Sequence, residues 1–195
     1  MIEVEKKFIL TGEEEARLLK GAEFIGQRMM TDVYYDTADY ALTMRDWWLR
    51  NRDGRFELKC RLKTDRAQFG DEIEGEETIR QKMNIGAGED LACDLAIHGY
   101  APFCTCRTMR RKYRKGLFTI DCDAADMDGF VYHVAEIELM VSNPSEADEA
   151  MERIMTFARN EGLATGHVAG KIAAFLREKK PDHYRALARH ARGSE

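Results

Sequence analysis

Two short segments of the sequence place acidic residues two positions apart. Glu3 and Glu5 are followed by Lys7 near the N-terminus, and Glu136 and Glu138 repeat the spacing later in the chain. Residues two apart on a β-strand share a face, so each segment presents its charges on one side. Clustered carboxylates bind hard divalent cations such as Mg²⁺ or Mn²⁺. These strands would form a metal site if their charged faces met.

Other strand-like segments also carry like charges on one face. Asp121 and Asp123 share a face in one of them. Arg50, Arg52 and Lys59 take the polar positions of two others. Clustered Arg and Lys side chains bind polyanions, and Arg offers bidentate contacts to phosphate. Acidic and basic strands together favour a metal-bound phosphate chain as the ligand.

The strands that must position these charges are predicted from alternation by twos. They lie at 2–9, 32–36, 47–52, 56–63, 117–123 and 133–141. Two arrangements of such strands fit the charges. The polar faces can point to water, as in an ordinary antiparallel sheet. Alternatively, the sheet closes into a barrel with carboxylates on one inner wall, Arg and Lys on the other, and helices covering the apolar faces. The residues alone leave both arrangements open.

Helices are predicted between and after the strands. Thr11 can cap a helix that runs to about residue 23. Asn143 caps a second helix, whose apolar residues recur at three and four and which ends before Gly162. A further helix is predicted from about Val168 to Lys180, with a short one beyond it. These helices are available to cover a barrel.

Composition narrows the classes of function. The chain has 195 residues and a formal net charge of -5, which argues against a general binder of nucleic acid or membrane surfaces. It carries no apolar stretch of membrane-spanning length, no signal-peptide pattern, and five cysteines without zinc-ligand spacing. We therefore expect one domain over residues 1–195, a cytoplasmic monomer that binds neither nucleic acid nor membrane.

The motifs that carry the charges resemble those of the CYTH superfamily, the triphosphate tunnel metalloenzymes. The E-x-E-x-K of residues 3–7 resembles its N-terminal signature. Further segments resemble the animal-type thiamine triphosphatases: VYYDT (33–37), WWLRNRDGRFELKC (47–60), DEIEGEETI (71–79), DCDAAD (121–126), AEIEL (135–139) and GKIAAFLREKKPDHYRAL (170–187). The resemblance implies an α+β fold, a closed eight-stranded antiparallel β-barrel, or triphosphate tunnel, with flanking helices.

The resemblance also implies roles for individual residues. The implied ligands of one or two Mg²⁺ or Mn²⁺ ions are Glu3, Glu5, Glu72, Asp121, Glu136 and Glu138. The implied triphosphate ligands are Lys7, Arg50, Arg52, Lys59, Arg110 and Lys171, with Arg111 as the alternative to Arg110. Trp48 would stack on the thiamine end of the substrate, and Tyr34 would pair with Lys59 to assist proton movement. Asp123 is expected to be structural.

The implied reaction is hydrolysis of the terminal phosphoanhydride of thiamine triphosphate to thiamine diphosphate and phosphate. Inorganic tripolyphosphate is an alternative substrate, because the same tunnel accepts a bare triphosphate and Trp48 is the feature that favours thiamine. Adenylyl cyclase activity ranks third, since nothing indicates an adenine pocket. A non-catalytic triphosphate-binding module is the alternative from a different class of function.

Overall fold

The computed structural model describes residues 2–63, 68–86 and 88–192. Eight strands and six α-helices follow one another in these ranges. In chain order they are β1 (Ile2–Phe8), α1 (Gly12–Leu19), β2 (Glu23–Asp36), β3 (Trp47–Arg52), β4 (Arg55–Lys63), β5 (Gln68–Glu74), α2 (Glu76–Met83), α3 (Leu91–Ile97), β6 (Ala101–Lys115), β7 (Phe118–Met127), β8 (Phe130–Val141), α4 (Ala147–Asn160), α5 (Lys171–Lys179) and α6 (Pro181–Arg192). Short 3₁₀ turns at Thr43–Arg45 and Pro144–Glu146 precede β3 and α4.

The eight strands form an antiparallel barrel in the order β1-β5-β4-β3-β2-β6-β7-β8. Strand β1 closes the ring because it pairs with β8 along its whole length and meets β5 at Val4 and Phe69. The predicted fold class is therefore confirmed. The long strands β2 and β6 pair from Glu23 with Arg114 to Asp36 with Ala101 and form the tallest wall.

Local sequence explains where the first and fourth helices begin. Thr11 accepts a hydrogen bond from the Glu14 amide at 3.2 Å, and the Glu14 carboxylate accepts one from the Thr11 amide at 2.8 Å. Asn143 and Glu146 form the same reciprocal cap before α4. Helix α1 ends at Leu19, earlier than predicted, because Gly21 takes a left-handed conformation (φ 75°) that turns the chain into β2.

Two apolar clusters lie on the outer face of the barrel, under the helices. The first joins Val4 and Phe8 of β1 to Leu18 of α1 and Ile154 of α4, each at most 1% exposed. The second lies between β3 and β4 on one side and α2 and α3 on the other. Burying a large side chain of this kind contributes about 1.5–3 kcal/mol. The apolar faces of the strands therefore point outward to the helices, as the barrel arrangement requires.

A third apolar cluster lies on the inner faces of the strands, where α5 enters one end of the barrel. Ala125 and Met127 continue the face of β7 that carries Asp121 and Asp123, and both are fully buried. Phe175 and Leu176 of α5 pack on them within the same cluster. The interior of the barrel is therefore apolar at the α5 end and charged beyond it.

Candidate active site

A cavity of about 240 Å³ occupies the charged part of the barrel interior. Strands β1, β3, β4, β5, β6 and β8 supply charged side chains to it, and the first turn of α5 closes one side. Its lining comprises Glu3, Glu5, Lys7, Tyr34, Trp48, Arg50, Arg52, Lys59, Glu72, Arg110, Glu136, Glu138, Gly170, Lys171, Ile172 and Ala173. Of the predicted site residues, Asp121 alone is outside this lining, and its carboxylate contacts Arg110. The strand faces predicted to converge thus meet in one cavity.

Among the residues that the structure describes, carboxylate oxygens gather in two groups that could each hold a metal ion. Glu3, Glu5 and Glu138 form one group, with ligand oxygens within 4.8 Å of one another. Asp121, Glu136 and Glu138 form the other, by the same measure. Glu138 belongs to both. The alternation of β1, β7 and β8 accounts for this convergence, because Glu5 is in register with Glu138, and Asp121 with Glu136.

Electrostatics and hydrogen bonding show that the carboxylate groups suit a cation. Burial, and then the charges of Glu3 and Asp121, raise the pKa of Glu138 to about 8. Oδ1 of Asp121 is buried and lies 3.0 Å from the Lys112 ammonium. Oxygen ligands of this kind fit Mg²⁺ or Mn²⁺.

Lysine and arginine side chains of the protein also lie among these carboxylates. Lys7 forms an ion pair with Glu5 and lies 3.2 Å from Glu136. Burial disfavours the charged form of Glu136, but Lys7, Lys171 and Arg110 outweigh it and lower its pKa. Opposite charges therefore interleave in the cavity, in place of the separate acidic and basic walls suggested by the sequence.

Arg50 and Arg52 of β3 are held by three carboxylates, of which only Glu72 was selected from the sequence. Arg52 donates two hydrogen bonds to Asp32, at 2.6 and 3.0 Å, and the Asp32 residue is fully buried. Arg50 donates to Glu57 at 2.7 Å and to Glu72 at 2.7 Å. Glu72, predicted as a metal ligand, thus lies against Arg50 at the rim and belongs to neither carboxylate group.

Tyr34 and Lys59 line the cavity but have different partners. The Lys59 ammonium lies 3.6 Å from Glu3 and 3.8 Å from Glu5. Tyr34 is 5% exposed, and its phenol interacts with Arg50. Burial raises the pKa of Tyr34, so its phenol stays neutral at physiological pH. The predicted pairing of Tyr34 with Lys59 is replaced by these contacts.

The structure separates Arg110 from Arg111. Arg110 points into the barrel, where it forms ion pairs with Asp121, Asp123 and Glu136. Arg111 points outward and donates to Glu15 of α1 at 2.8 Å. The geometry therefore selects Arg110 as the candidate phosphate ligand.

Trp48 lies at the apolar end of the cavity. Its indole packs against the cluster that contains Ile172 and Phe175 of α5. The indole nitrogen donates a hydrogen bond to Asp46 at 2.8 Å, which orients the ring. Lys171 begins α5 at the same side of the cavity, so a predicted helical lysine does reach the site.

Sequence reasoning missed several charged residues of the site. Asp32 and Glu57 hold the arginines of β3, and Asp123, predicted to be structural, contacts Arg110 and Lys171. Lys112 lies near Asp121 and Glu138. The sequence did contain a signal for them: each missed residue lies an even number of positions from a selected residue on the same strand, and such residues share a face of the strand.

The chain belongs to the CYTH family, whose domain matches residues 1–171. The thiamine-triphosphatase of Homo sapiens is 29% identical over 209 residues, covering 96% of this chain and 89% of that protein. The thiamine-triphosphatase of Macaca fascicularis matches with the same identity and coverage.

Solved structures share the fold. The PH1819 protein of Pyrococcus horikoshii OT3 superposes with a TM-score of 0.66 at 21% identity, covering 91% of this chain and 99% of that one. The Hippeastrum protein HpAC1, for which a dominant triphosphatase activity is described, gives a TM-score of 0.60 at 18% identity, covering 91% and 96%. In the part of the chain that the structure describes, no helix is both long and apolar enough to cross a membrane.

Proposed function

We propose that the protein hydrolyses the terminal phosphoanhydride of thiamine triphosphate, giving thiamine diphosphate and phosphate. The observation that carries the proposal is one cavity with two carboxylate groups and six Arg and Lys side chains from five different elements. Phosphoryl transfer requires charge neutralisation and alignment of the phosphate chain, and such a lining supplies both. The human and macaque thiamine-triphosphatases that match nearly the whole chain support this choice of substrate.

We assign metal binding to the two carboxylate groups, with Glu138 shared between them. When bound there, Mg²⁺ or Mn²⁺ would neutralise phosphate charge and make the attacking water more acidic. Such an ion would compensate the buried negative charge of Asp121 and would displace the proton of Glu138, whose pKa is raised to about 8. Glu72 would act from the rim through Arg50.

The basic residues would bind and align the phosphate chain. Arg50, Arg52 and Arg110 would offer guanidinium groups to phosphate oxygens, since their planar donors suit bidentate contacts. Lys7, Lys59 and Lys171 complete the set. Lys59 is the residue we assign to proton movement, whereas Tyr34, held neutral by burial, would only donate a hydrogen bond.

Trp48 would bind the organic end of the substrate. Its indole faces the cavity at the apolar end, and a cationic thiazolium can stack on such a ring. Bare tripolyphosphate would fill the charged part of the same cavity without using Trp48. We further propose that the whole chain acts as one monomeric unit in the cytoplasm, where its cysteines, Cys60, Cys93, Cys104, Cys106 and Cys122, would stay reduced.

The test is phosphate release by the purified protein with Mg²⁺, comparing thiamine triphosphate, tripolyphosphate and ATP at matched low concentrations. Selective turnover of thiamine triphosphate that a chelator abolishes is the expected result. Preference for tripolyphosphate would show that the protein is an inorganic tripolyphosphatase. Binding without turnover of any of them would contradict an enzymatic role.

A further inference from the structure

Asp123 holds two cations of the cavity that come from different elements. Arg110 of β6 donates to both of its oxygens, with Nε to Oδ1 and Nη2 to Oδ2 each at 2.7 Å. Lys171, the first residue of α5, donates to Oδ2 at 2.5 Å. The Asp123 side chain is fully shielded from solvent. One buried carboxylate thus connects a barrel strand to the helix that closes the cavity.

The position of Lys171 calls for a buried counter-charge. Helix α5 begins at Lys171, after Gly170, which caps without a side chain. A cation at a helix N-terminus is disfavoured by the helix dipole, and burial adds to that cost. Asp123 offsets both and directs the ammonium into the cavity. Apolar packing of Ile172 and Phe175 holds the helix itself but cannot set the direction of the lysine side chain.

Asp123 also differs from the carboxylates assigned to metal binding. Asp121 and Glu136 contact Arg110 too, but both belong to a group that could hold a metal ion. Asp123 belongs to neither group among the described residues. Its ion pairs with Arg110 and Lys171 can therefore persist when the other carboxylates take a cation.

We propose that Asp123 is a positioning residue that sets Arg110 and Lys171 in the geometry that binds the triphosphate chain. The inference rests on the proposed function. An error of about 1 Å in the placement of a binding group can cost about 100-fold in rate. Both side chains are long and flexible, so without Asp123 their charges would remain in the cavity while their direction would be lost.

A double-mutant cycle between Asp123 and Lys171 tests the proposal. In the wild-type background, Lys171→Ala should lower kcat/KM for the preferred triphosphate by about 10- to 100-fold, the size of a lost charge-assisted hydrogen bond. In an Asp123→Asn background, Lys171→Ala should lower kcat/KM by a much smaller factor, because the Lys171 side chain is already misdirected. Independent, multiplicative losses would overturn the proposal.

Asp94→Asn is the matched control for loss of a buried ion pair. Asp94 is 5% exposed and pairs with Arg80 at 2.8 Å, between α2 and α3 and away from the cavity. Asp94→Asn should lower the melting temperature and leave kcat unchanged, whereas Asp123→Asn should lower kcat, because Arg110 and Lys171 lose the direction that aligns the phosphate chain. Equal kcat effects of the two variants would contradict a positioning role.

Two further experiments apply if Asp123→Asn does not fold or if the wild-type protein shows no turnover. If Asp123→Asn does not fold, Asp123→Glu retains the charge but moves it by one methylene, and the same cycle with Lys171→Ala applies. If the wild-type protein hydrolyses no triphosphate, the proposed function fails by itself. Calorimetric titration with tripolyphosphate then gives the binding affinity of the wild-type protein, the two single variants and the double variant. Additive losses of binding free energy would overturn the positioning role.

Discussion

Replacing Asp32 by asparagine should destabilise the folded protein, because Arg52 would lose its buried counter-ion. The Asp32 side chain is 1% exposed and accepts both donors of the Arg52 fork, at 2.6 and 3.0 Å. Burial opposes the charge on Arg52, and the hydrogen bonds to Asp32 outweigh it and raise its pKa. Asparagine keeps one acceptor but turns an amide donor toward the guanidinium.

The structure sets the size of this effect. Complete loss of one partner of a buried pair costs about 3–5 kcal/mol. Asparagine retains one hydrogen bond, Glu57 lies 3.8 Å from Arg52, and the guanidinium keeps some solvent contact, so we expect a loss of about 2–3 kcal/mol. At about 2–4 °C per kcal/mol for a chain of this length, the melting temperature should fall by about 4–12 °C.

The assay is urea denaturation and thermal melting of Asp32→Asn, Arg52→Gln and the double variant. The double variant removes the unpaired charge and should be more stable than Asp32→Asn alone. If Asp32→Asn stays within about 0.5 kcal/mol of the wild-type protein, as ordinary surface substitutions do, the reasoning about a buried counter-ion is wrong. A double variant less stable than Asp32→Asn would also refute the idea that Asp32→Asn leaves a destabilising charge on Arg52.

Three other changes probe the substrate end, the metal groups and the C-terminal helix. Trp48→Ala should raise KM for thiamine triphosphate by about 2- to 30-fold and leave tripolyphosphate nearly unaffected, and equal effects in steady-state kinetics would exclude the stacking role. Glu138→Gln should weaken calorimetric Mg²⁺ or Mn²⁺ binding by more than about tenfold, while Glu57→Gln, outside both carboxylate groups, should not. Burial lowers the pKa of His183 from its ordinary value of 6.5, so the folded state disfavours its protonation and loses stability as pH falls below about 6.5. His183→Gln should therefore reduce the loss of urea stability between about pH 7 and about pH 5, and an unchanged pH dependence would remove His183 as its cause.

The hydrogen bonds of His183 explain why it matters to the C-terminal helices. The Thr43 hydroxyl donates to Asp36 at 2.6 Å, so it must accept from Nε2 of His183, 2.7 Å away. The imidazole also stacks on Tyr40 with a centroid distance of 3.8 Å. Protonation would leave a charge in a site where the residue is only 4% exposed. The sequence alone placed no weight on this histidine, because its partners lie far away along the chain.

Alternation predicted most of the charged faces but could not tell inside from outside. Glu3 and Glu5 alternate with Val4 in the same way whether the charged face meets water or a barrel interior. Which face points inward is settled by the packing of Val4 under α1 and α4, and that is a tertiary contact. The resemblance to a family, rather than the pattern, pointed to the correct arrangement.

Strand β6 was missed because its inner face changes character along its length. Cys104 and Cys106 lie in the apolar cluster at the α5 end, whereas Arg110 and Lys112 lie among carboxylates on the same face. No single apolar or polar period runs through such a strand. Helix α3 (Leu91–Ile97) was missed for a related reason, since seven residues are too few for a clear helical period.

The interleaving of charges lay beyond sequence reasoning because it depends on strand register. Arg110 reaches Asp123 because these two residues are registered partners on β6 and β7. A shift of one residue would turn Arg111 inward instead. Register and closure are set by contacts among all eight strands, so separate acidic and basic walls were the simplest expectation, and the structure corrects it.

The most direct measurement of the central claim, that the barrel interior binds the triphosphate, compares Arg110→Ala with Arg111→Ala. The two residues are adjacent on β6, with Arg110 among the cavity carboxylates and Arg111 outside against Glu15. Calorimetric tripolyphosphate binding and phosphate release from thiamine triphosphate would be measured on both variants, with melting temperatures to confirm folding. We expect Arg110→Ala to lose affinity and turnover and Arg111→Ala to keep both. Equal losses, or loss in Arg111→Ala alone, would contradict the claim.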